Sequence, residues 1–554
     1  MRLSIGGLGV PMATVFAIGL TPSVAHSQNQ NGPLTLLATE DQELARTSDV
    51  LGQLQRDGNL RLVDIVADPL APARSHQRFV QLYQNVRVLG GGVSVQTERG
   101  LPMSVFGHVY SNIAIDAKPE LTTQDIVDMA DQAGRTLLSP PELAVTLDSS
   151  DVYRLVYQVL TFGTNGLRVS EIDATTGGTI AERNALTTQR PPSPCVDCAV
   201  GEGLGIKGDR KKLSVRSVQD AFVTNDGLRP GQISTYDMRG DWNRAFDVLV
   251  GRVQLTDADL ARDDDNVWQD SVSVDGHVGF GWTLDYLFHR FGREGLDGKN
   301  GPIAAIVHPV DRADFFAVPS SIAGLFHLNA FYCASCGASG IVVLGEGLPP
   351  SQTLGSTGQT LDFFAAGIDI IAHELGHAVT EFTSRLIYQG ESGALNEAFS
   401  DLIGVGTEFF MAETGRHTPE EADYVVGEDV IKPDGVRSLA NPLSHGDPDH
   451  YSLRFLGQLD NGGVHTNSTI ATHAYYLTVE GGTNVTSGVQ VSGLGPQNRV
   501  LVDQIFYRAF TFLLTENATF SMARAATLQS ARDLMAGTAV EQTIATAWTA
   551  VGVE

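Results

Sequence analysis

Ile368-Asp369-Ile370-Ile371-Ala372-His373-Glu374-Leu375-Gly376-His377-Ala378-Val379 is the stretch around which the other residues organise. Ile368, Ile371, Ala372, Leu375, Ala378 and Val379 recur at three- and four-residue intervals, which predicts a buried helix. His373 and His377 stand at i and i+4, one turn apart on one face, so both imidazoles reach a single ion. Imidazole nitrogen suits Zn²⁺, and three protein ligands plus an open position make a catalytic site rather than a structural one. Glu374, beside the first histidine, is placed to take a proton from water there. Thr380 and Thr383 stand where a glycine and a third histidine would extend the motif, so a third ligand comes from elsewhere. Downstream, Gly393-Ala394-Leu395-Asn396-Glu397-Ala398-Phe399-Ser400-Asp401 reads as the start of a second helix. Glu397 and Asp401 share one face of it, one as a ligand and one as a partner for a ligand imidazole.

From this helix the text divides. Helical patterns dominate to the C-terminus, notably over 464–478, 499–514 and 521–535, while 200 to about 350 is glycine-punctuated and strand-like. Residues 26 to about 70 are polar, then helix-like. Alternating runs on either side of Gly90-Gly91-Gly92 predict a hairpin turning at the glycines. A helical stretch near 124–138 precedes a second set of strands over 153–183. Gln189-Arg190-Pro191-Pro192-Ser193-Pro194 is a stiff, exposed linker of the kind proteases cut. At the start, Arg2, an apolar run from Leu8 to Leu20 and small residues ending at Ala25 predict a secretory leader over 1–25. Pro11 and the glycines in so short a run argue against a membrane anchor.

The composition, 42% hydrophobic and 18% charged, excludes a mainly disordered or polytopic membrane protein. Lys+Arg 37 against Asp+Glu 64 gives 37 − 64 = −27, which repels phosphate backbones and removes nucleic acid as a default partner. Four cysteines form two CxxC pairs, Cys195/Cys198 and Cys333/Cys336. A shared structural zinc site is one reading. Export and the wide separation of the pairs favour disulfides, with three connectivities open and a local Cys333–Cys336 bridge expected.

His373-Glu374-Leu375-Gly376-His377, Tyr388 to Asp401, and Asp460-Asn461-Gly462-Gly463-Val464-His465 together resemble the thermolysin family of zinc metallopeptidases. The likeness covers essentially all of 200–554. Residues 70–110 and 115–185 are similar to that family's two propeptide modules, the fungalysin/thermolysin propeptide and the PepSY domain. The resemblance implies an α+β, two-lobed zincin (gluzincin), with a β-rich N-lobe (200–384) joined by the HExxH helix to an α-helical C-lobe (385–554). Two small α+β propeptide modules precede it (26–112 and 113–189), with a cleavage region at 190–199. It also implies a monomeric secreted endopeptidase made as an inactive precursor, acting on polypeptides, its propeptide serving as intramolecular chaperone and inhibitor. No membrane contact is expected after leader removal.

Roles follow residue by residue from that resemblance. His373, His377 and Glu397 would hold one zinc, with Asp401 and Asn396 behind them. Glu374 would be the base, Tyr388 and His465 the donors to the oxyanion, and Asp460 the partner of His465. Asn329 and Ala330 match the edge that pairs with an extended peptide, and Arg437 the arginine that holds a substrate carbonyl. Phe364, Ile370, Val426, Val430 and Val436 match the pocket just after the cut bond, so a bulky apolar residue is expected there. Asp369, Glu408, Asp423 and Glu428 match a paired calcium site. An insertion between Glu408 and Asp423 leaves the number of ions open. Asp263 and Asp265 match a further site, with Val267 where an oxygen is expected; the last family site, at Ile431-Lys432, looks lost. Rival readings are a zinc aminopeptidase, which would carry an amine-anchoring acidic motif where Asn329-Ala330-Phe331-Tyr332 stands, and a binder without catalysis, which should have lost Glu374 or a ligand.

Overall fold

The computed structural model describes residues 33–39, 41–163, 166–184, 197–229, 231–336, 340–355, 357–415, 421–534 and 536–554. The leader expected over 1–25, Cys195 and most of the 190–199 linker lie outside the described residues.

Ten strands between Pro33 and Asn184 share one sheet, with the helices Asp41–Arg56 and Thr123–Gln132 packed on it. The sheet covers two separate small cores, one around Leu51, Phe79 and Val105, the other around Ile126, Val145 and Tyr157. The hairpin turn expected at Gly90–Gly92 is not there. Arg74–Tyr83 and Val86–Glu98 turn at Gln84-Asn85, both left-handed (φ 49° and 67°), a two-residue loop whose twist matches its strands. The glycines lie within the second strand, and Gly90 is left-handed where the chain passes Asn517. That strand pairs in parallel with Glu142–Leu147, so the sheet runs on across residue 112.

After Cys198 come two five-stranded sheets. One is built mainly on Cys198–Leu204 and Arg210–Val218. In the other, Ile233–Asp237, Ile303–Val307 and Ile341–Leu344 are parallel, and Ala330–Cys333 is the antiparallel edge. The expectation of continuous strand up to 350 misses a 21-residue helix, Ser271–Phe291. Asp270 caps it, its side chain accepting Val272 N–H at 3.1 Å, and left-handed Gly292 ends it. Cys333 and Cys336 form the expected local disulfide; Cys198 is disulfide-bonded too, its partner lying outside the described residues.

Ile368–Glu381 packs between this lobe and a helical one made by Gly390–Glu413, Asp460–Val479, Arg499–Arg508, Phe520–Asp533 and Thr538–Ala550. Its apolar stripe is buried in one core shared by both lobes. Gly376 makes the key approach possible. A Cβ there would lie 2.6 Å from Ser400 Cα, so only glycine lets these helices touch at that point.

The N-terminal sheet is fastened to the helical lobe by buried charge. Arg508, wholly buried, donates to Asp68 (2.8 Å), Gln96 (2.6 Å) and Asp533 (2.7 Å). His76 meets Asp68 at 3.0 Å and packs its ring on Phe512. Among the described residues, no helix is long and apolar enough to cross a membrane.

Candidate metal centre and active-site cleft

Because Gly376 brings the two helices together, three side chains meet. His373 Nε2 and His377 Nε2 lie 3.1 Å apart, with Glu397 oxygens 3.5 Å and 3.3 Å away. The ligand atoms of all three lie within 4.8 Å of one another. Two imidazole nitrogens face each other here, and buried Glu397 Oε2 has no hydrogen-bond partner among the described residues. Such a donor set suits Zn²⁺. Each imidazole is held from behind: Asn396 Oδ1 is 2.9 Å from His377 Nδ1, and Asp401 Oδ1 is 2.9 Å from His373 Nδ1. Burial alone would raise the Glu397 carboxyl, but His465, His377 and His373 hold it well below the usual range.

Arg437 is where sequence reasoning fell short. Its guanidinium donates twice to Asp401, at 2.9 Å and 2.7 Å, and stands 3.6 Å from Glu397. Thirty-six residues separate Arg437 from Asp401, too far for any local pattern to reveal the fork.

Tyr388 donates to Glu397 Oε1 and lies 3.2 Å from His465 Nε2. His465 is set by an unusual helix start: Asp460, Asn461, Gly462 and Gly463 are all left-handed (φ 54°, 49°, 88°, 77°). That turn brings Asp460 Oδ1 to 2.6 Å from His465 Nδ1, while Oδ2 accepts the His465 N–H at 2.9 Å. Burial disfavours the charged imidazole, but Glu397 and Asp460 together raise its pKa.

These groups open on a cleft of ≈ 1160 Å³. Its walls include His373, Glu374, His377, Tyr388, Glu397, Asp460, His465, Asn329, Ala330, Phe364, Ile370, Val426, Val436 and Arg437. The opposite wall belongs to the N-terminal sheet, including Arg87, Tyr110, Arg168 and Arg183. Val430 does not line the cleft; it is wholly buried in the core, packed toward Gly367. Gln458 and Leu459, not singled out from the sequence, do line it.

A second acidic cluster sits at the start of the same helix. Asp369 and Glu408 are buried, Glu428 is half-buried and Asp423 is exposed. Burial, then Asp369, Glu428, Asp429 and Asp423, push Glu408 up to about 10, and similar causes push Glu428 up to about 9. Asp429, not anticipated, is ion-paired with Lys207. At the other expected site, Asp263 accepts N–H groups of Asp265 (3.0 Å) and Val267 (3.1 Å), so its carboxylate folds back on its own loop.

An HExxH helix with a carboxylate ligand from the following helix, set between two lobes, defines a zinc metallopeptidase. Residues 200–381 match the family model of the thermolysin metallopeptidase catalytic domain, and 384–553 that of the thermolysin metallopeptidase alpha-helical domain. The chain is 33% identical over 534 residues to thermostable neutral protease NprT of Geobacillus stearothermophilus, covering 91% of this chain and 87% of that protein. It is 34% identical over 504 residues to thermolysin of Alicyclobacillus acidocaldarius subsp. acidocaldarius (86% and 83%). With bacillolysin of Bacillus cereus it shares 37% identity over 362 residues (64% and 55%). The chain belongs to the thermolysin family, and it is a zinc metalloendopeptidase.

Proposed function

We propose that the protein is a secreted precursor whose mature part cuts polypeptides just before bulky apolar residues. One observation carries the catalytic reading: Glu374 stands between two histidines whose nitrogens converge with Glu397, and all open on one cleft. His373, His377 and Glu397 would hold zinc, which when bound lowers the pKa of water and polarises a carbonyl. Glu374 accepts the proton of the attacking water and passes it to the leaving nitrogen. Tyr388 and His465 donate to the oxyanion, His465 being held in orientation by Asp460. Asn396 and Asp401 keep the ligand imidazoles turned inward, and Arg437 secures Asp401 while reaching toward a substrate carbonyl.

Ala330–Cys333 is the last strand of its sheet and lines the cleft with Asn329 beside it, which suits an extended peptide added as a strand. Phe364, Ile370, Val426 and Val436 offer no charge to a side chain entering between them, so a charged residue would lose hydration without a partner. Residues 26–189 act as propeptide: their sheet walls the cleft and is anchored through Arg508. Asp369, Glu408, Asp423 and Glu428 hold calcium, since their mutual repulsion is relieved by a hard cation.

The test is to express the full chain, collect the medium, and map cuts in a peptide library together with the mature N-terminus. Expected are cuts before Leu, Phe, Ile and Val and a new N-terminus within 190–199. The Glu374→Gln chain should accumulate uncut. Cleavage mainly before Asp, Glu or Lys would contradict the pocket. Normal maturation of Glu374→Gln expressed alone would contradict self-processing.

A further inference from the structure

Seven residues running up to the cleft, Leu453-Arg454-Phe455-Leu456-Gly457-Gln458-Leu459, of which the last two line it, expose four large apolar side chains. Leu453 is 50% exposed, Phe455 37%, Leu456 76% and Leu459 78%, all with the N-terminal sheet in place. Isolated apolar residues on a surface need no explanation, but four in one short segment mark a contact surface.

The segment is held rigidly. Phe455 N–H donates to Asn467 Oδ1 (2.7 Å), and Asn467 Nδ2 donates back to Phe455 O (3.0 Å). Arg454 stacks on Tyr451 at 3.9 Å and donates to its carbonyl at 2.9 Å. The Phe455 ring lies against Gly457, where an added Cβ would meet it at 2.3 Å. Leu459 O accepts from Gly462 N–H (3.1 Å) and Gly463 N–H (2.9 Å), in the same left-handed turn that aims Asp460 at His465. The leucines are thus presented to water by an ordered scaffold, at the expense of apolar burial.

We propose that Leu453, Phe455, Leu456 and Leu459 form an apolar rim that binds substrate residues remote from the cut bond, on the His465 side of the cleft. This rests on the peptidase reading above and adds the substrate class: chain segments apolar over several residues, as proteins expose when they unfold. Continuity argues for the substrate as occupant. Gln458 and Leu459 line the same cleft as Glu374 and His465, so a peptide leaving past His465 runs on to the rim. A net charge of −27 argues against anionic lipid.

The test compares two quenched peptides with the same cleavable pair, one flanked by Leu and Phe, the other by Ser and Gly. Enzyme matured from the full wild-type chain should prefer the apolar-flanked peptide in kcat/KM by roughly tenfold, as apolar subsites allow. Leu456→Ser/Leu459→Ser should bring that ratio to within about twofold of one, through KM rather than kcat, as expected for lost uniform binding. Leu456→Met/Leu459→Met should restore it. An unchanged ratio in the serine variant overturns the proposal, as does an equal loss of kcat on both peptides, which would make the segment a support for His465. Concentration-dependent dimerisation abolished by the serine variant, with the ratio intact, would assign the rim to a second copy and also overturn it. Wild-type enzyme that cuts neither peptide would instead refute the peptidase reading.

Discussion

Two acidic clusters lie along the paired helices Ile368–Glu381 and Gly390–Glu413, and they are balanced in opposite ways. Around Glu397 and Asp401 the chain supplies its own positive charge: Arg437 forks on to Asp401, and three histidines surround Glu397. Around Glu408 the charges that act on it most are the carboxylates of Asp369, Glu428, Asp429 and Asp423, with Lys207 pairing to Asp429, and Glu408 Oε2 and Glu428 Oε2 lack hydrogen-bond partners among the described residues. The first is prearranged with or without an ion, as chemistry requires. The second is stable only if protonated or filled by a cation. Damage to the first should therefore appear in turnover, and damage to the second in stability.

The sharpest break is Glu374→Gln, which removes only the proposed proton acceptor. Turnover should fall by about 10²–10⁴-fold, measured after added wild-type enzyme has released residues 26–189 from the variant, while the melting temperature of that trimmed variant stays close to the mature wild type. A large melting shift would make Glu374 a structural residue. Next, Tyr388→Phe removes one of the proposed donors to the oxyanion and should lower kcat by about 10²-fold. A rise in KM at unchanged kcat would place Tyr388 in substrate binding instead. Asp401→Asn loosens His373 and leaves Arg437 facing only Glu397 of its two charged neighbours at the metal centre, so zinc affinity should drop by about 10–100-fold in competition with a chelator.

The smallest effect belongs to the second cluster and depends on pH. Glu408 and Glu428 have folded pKa values near 10 and 9, above those of the unfolded chain. Their contribution without a cation is therefore fully present below about pH 4.5 and is lost as pH rises through the folded values. Calcium bound there as proposed would reverse that loss, by about 2.7 kcal/mol at a free concentration of a hundred times Kd. Melting with EGTA and with calcium should thus differ by a few degrees at pH 8 and hardly at all at pH 5, as measured by calorimetry. Glu408→Gln should raise the melting point in EGTA and remove the response to calcium. A calcium effect equal at both pH values would refute this account.

What was legible in the sequence was local. A helix stripe, two histidines one turn apart and Glu397 with Asp401 on one face of the next helix are short-range patterns, and they pointed to the metal centre. Less visible were features made by packing. Ser271–Phe291 is buried on nearly all sides between layers, so it shows no clean apolar stripe and read as strand. Gln84-Asn85 closes the hairpin because two left-handed residues fit its twist, while the more conspicuous glycines serve a close approach to Asn517. Val430 matched a pocket position yet lies in the core. The Arg437–Asp401 fork and the Arg508–Asp68 bond join residues far apart in the chain, which no spacing rule detects.

Metal analysis tests the central claim most directly. Zinc should be counted in purified wild-type, Glu374→Gln and Glu397→Gln chains after exhaustive dialysis, alongside their peptidase rates. The account predicts one zinc per chain in the first two, with activity only in the wild type. Glu397→Gln, having lost a charged ligand, should retain a small fraction, on the order of a tenth. Full zinc in Glu397→Gln, or undiminished peptidase activity in Glu374→Gln, would contradict it.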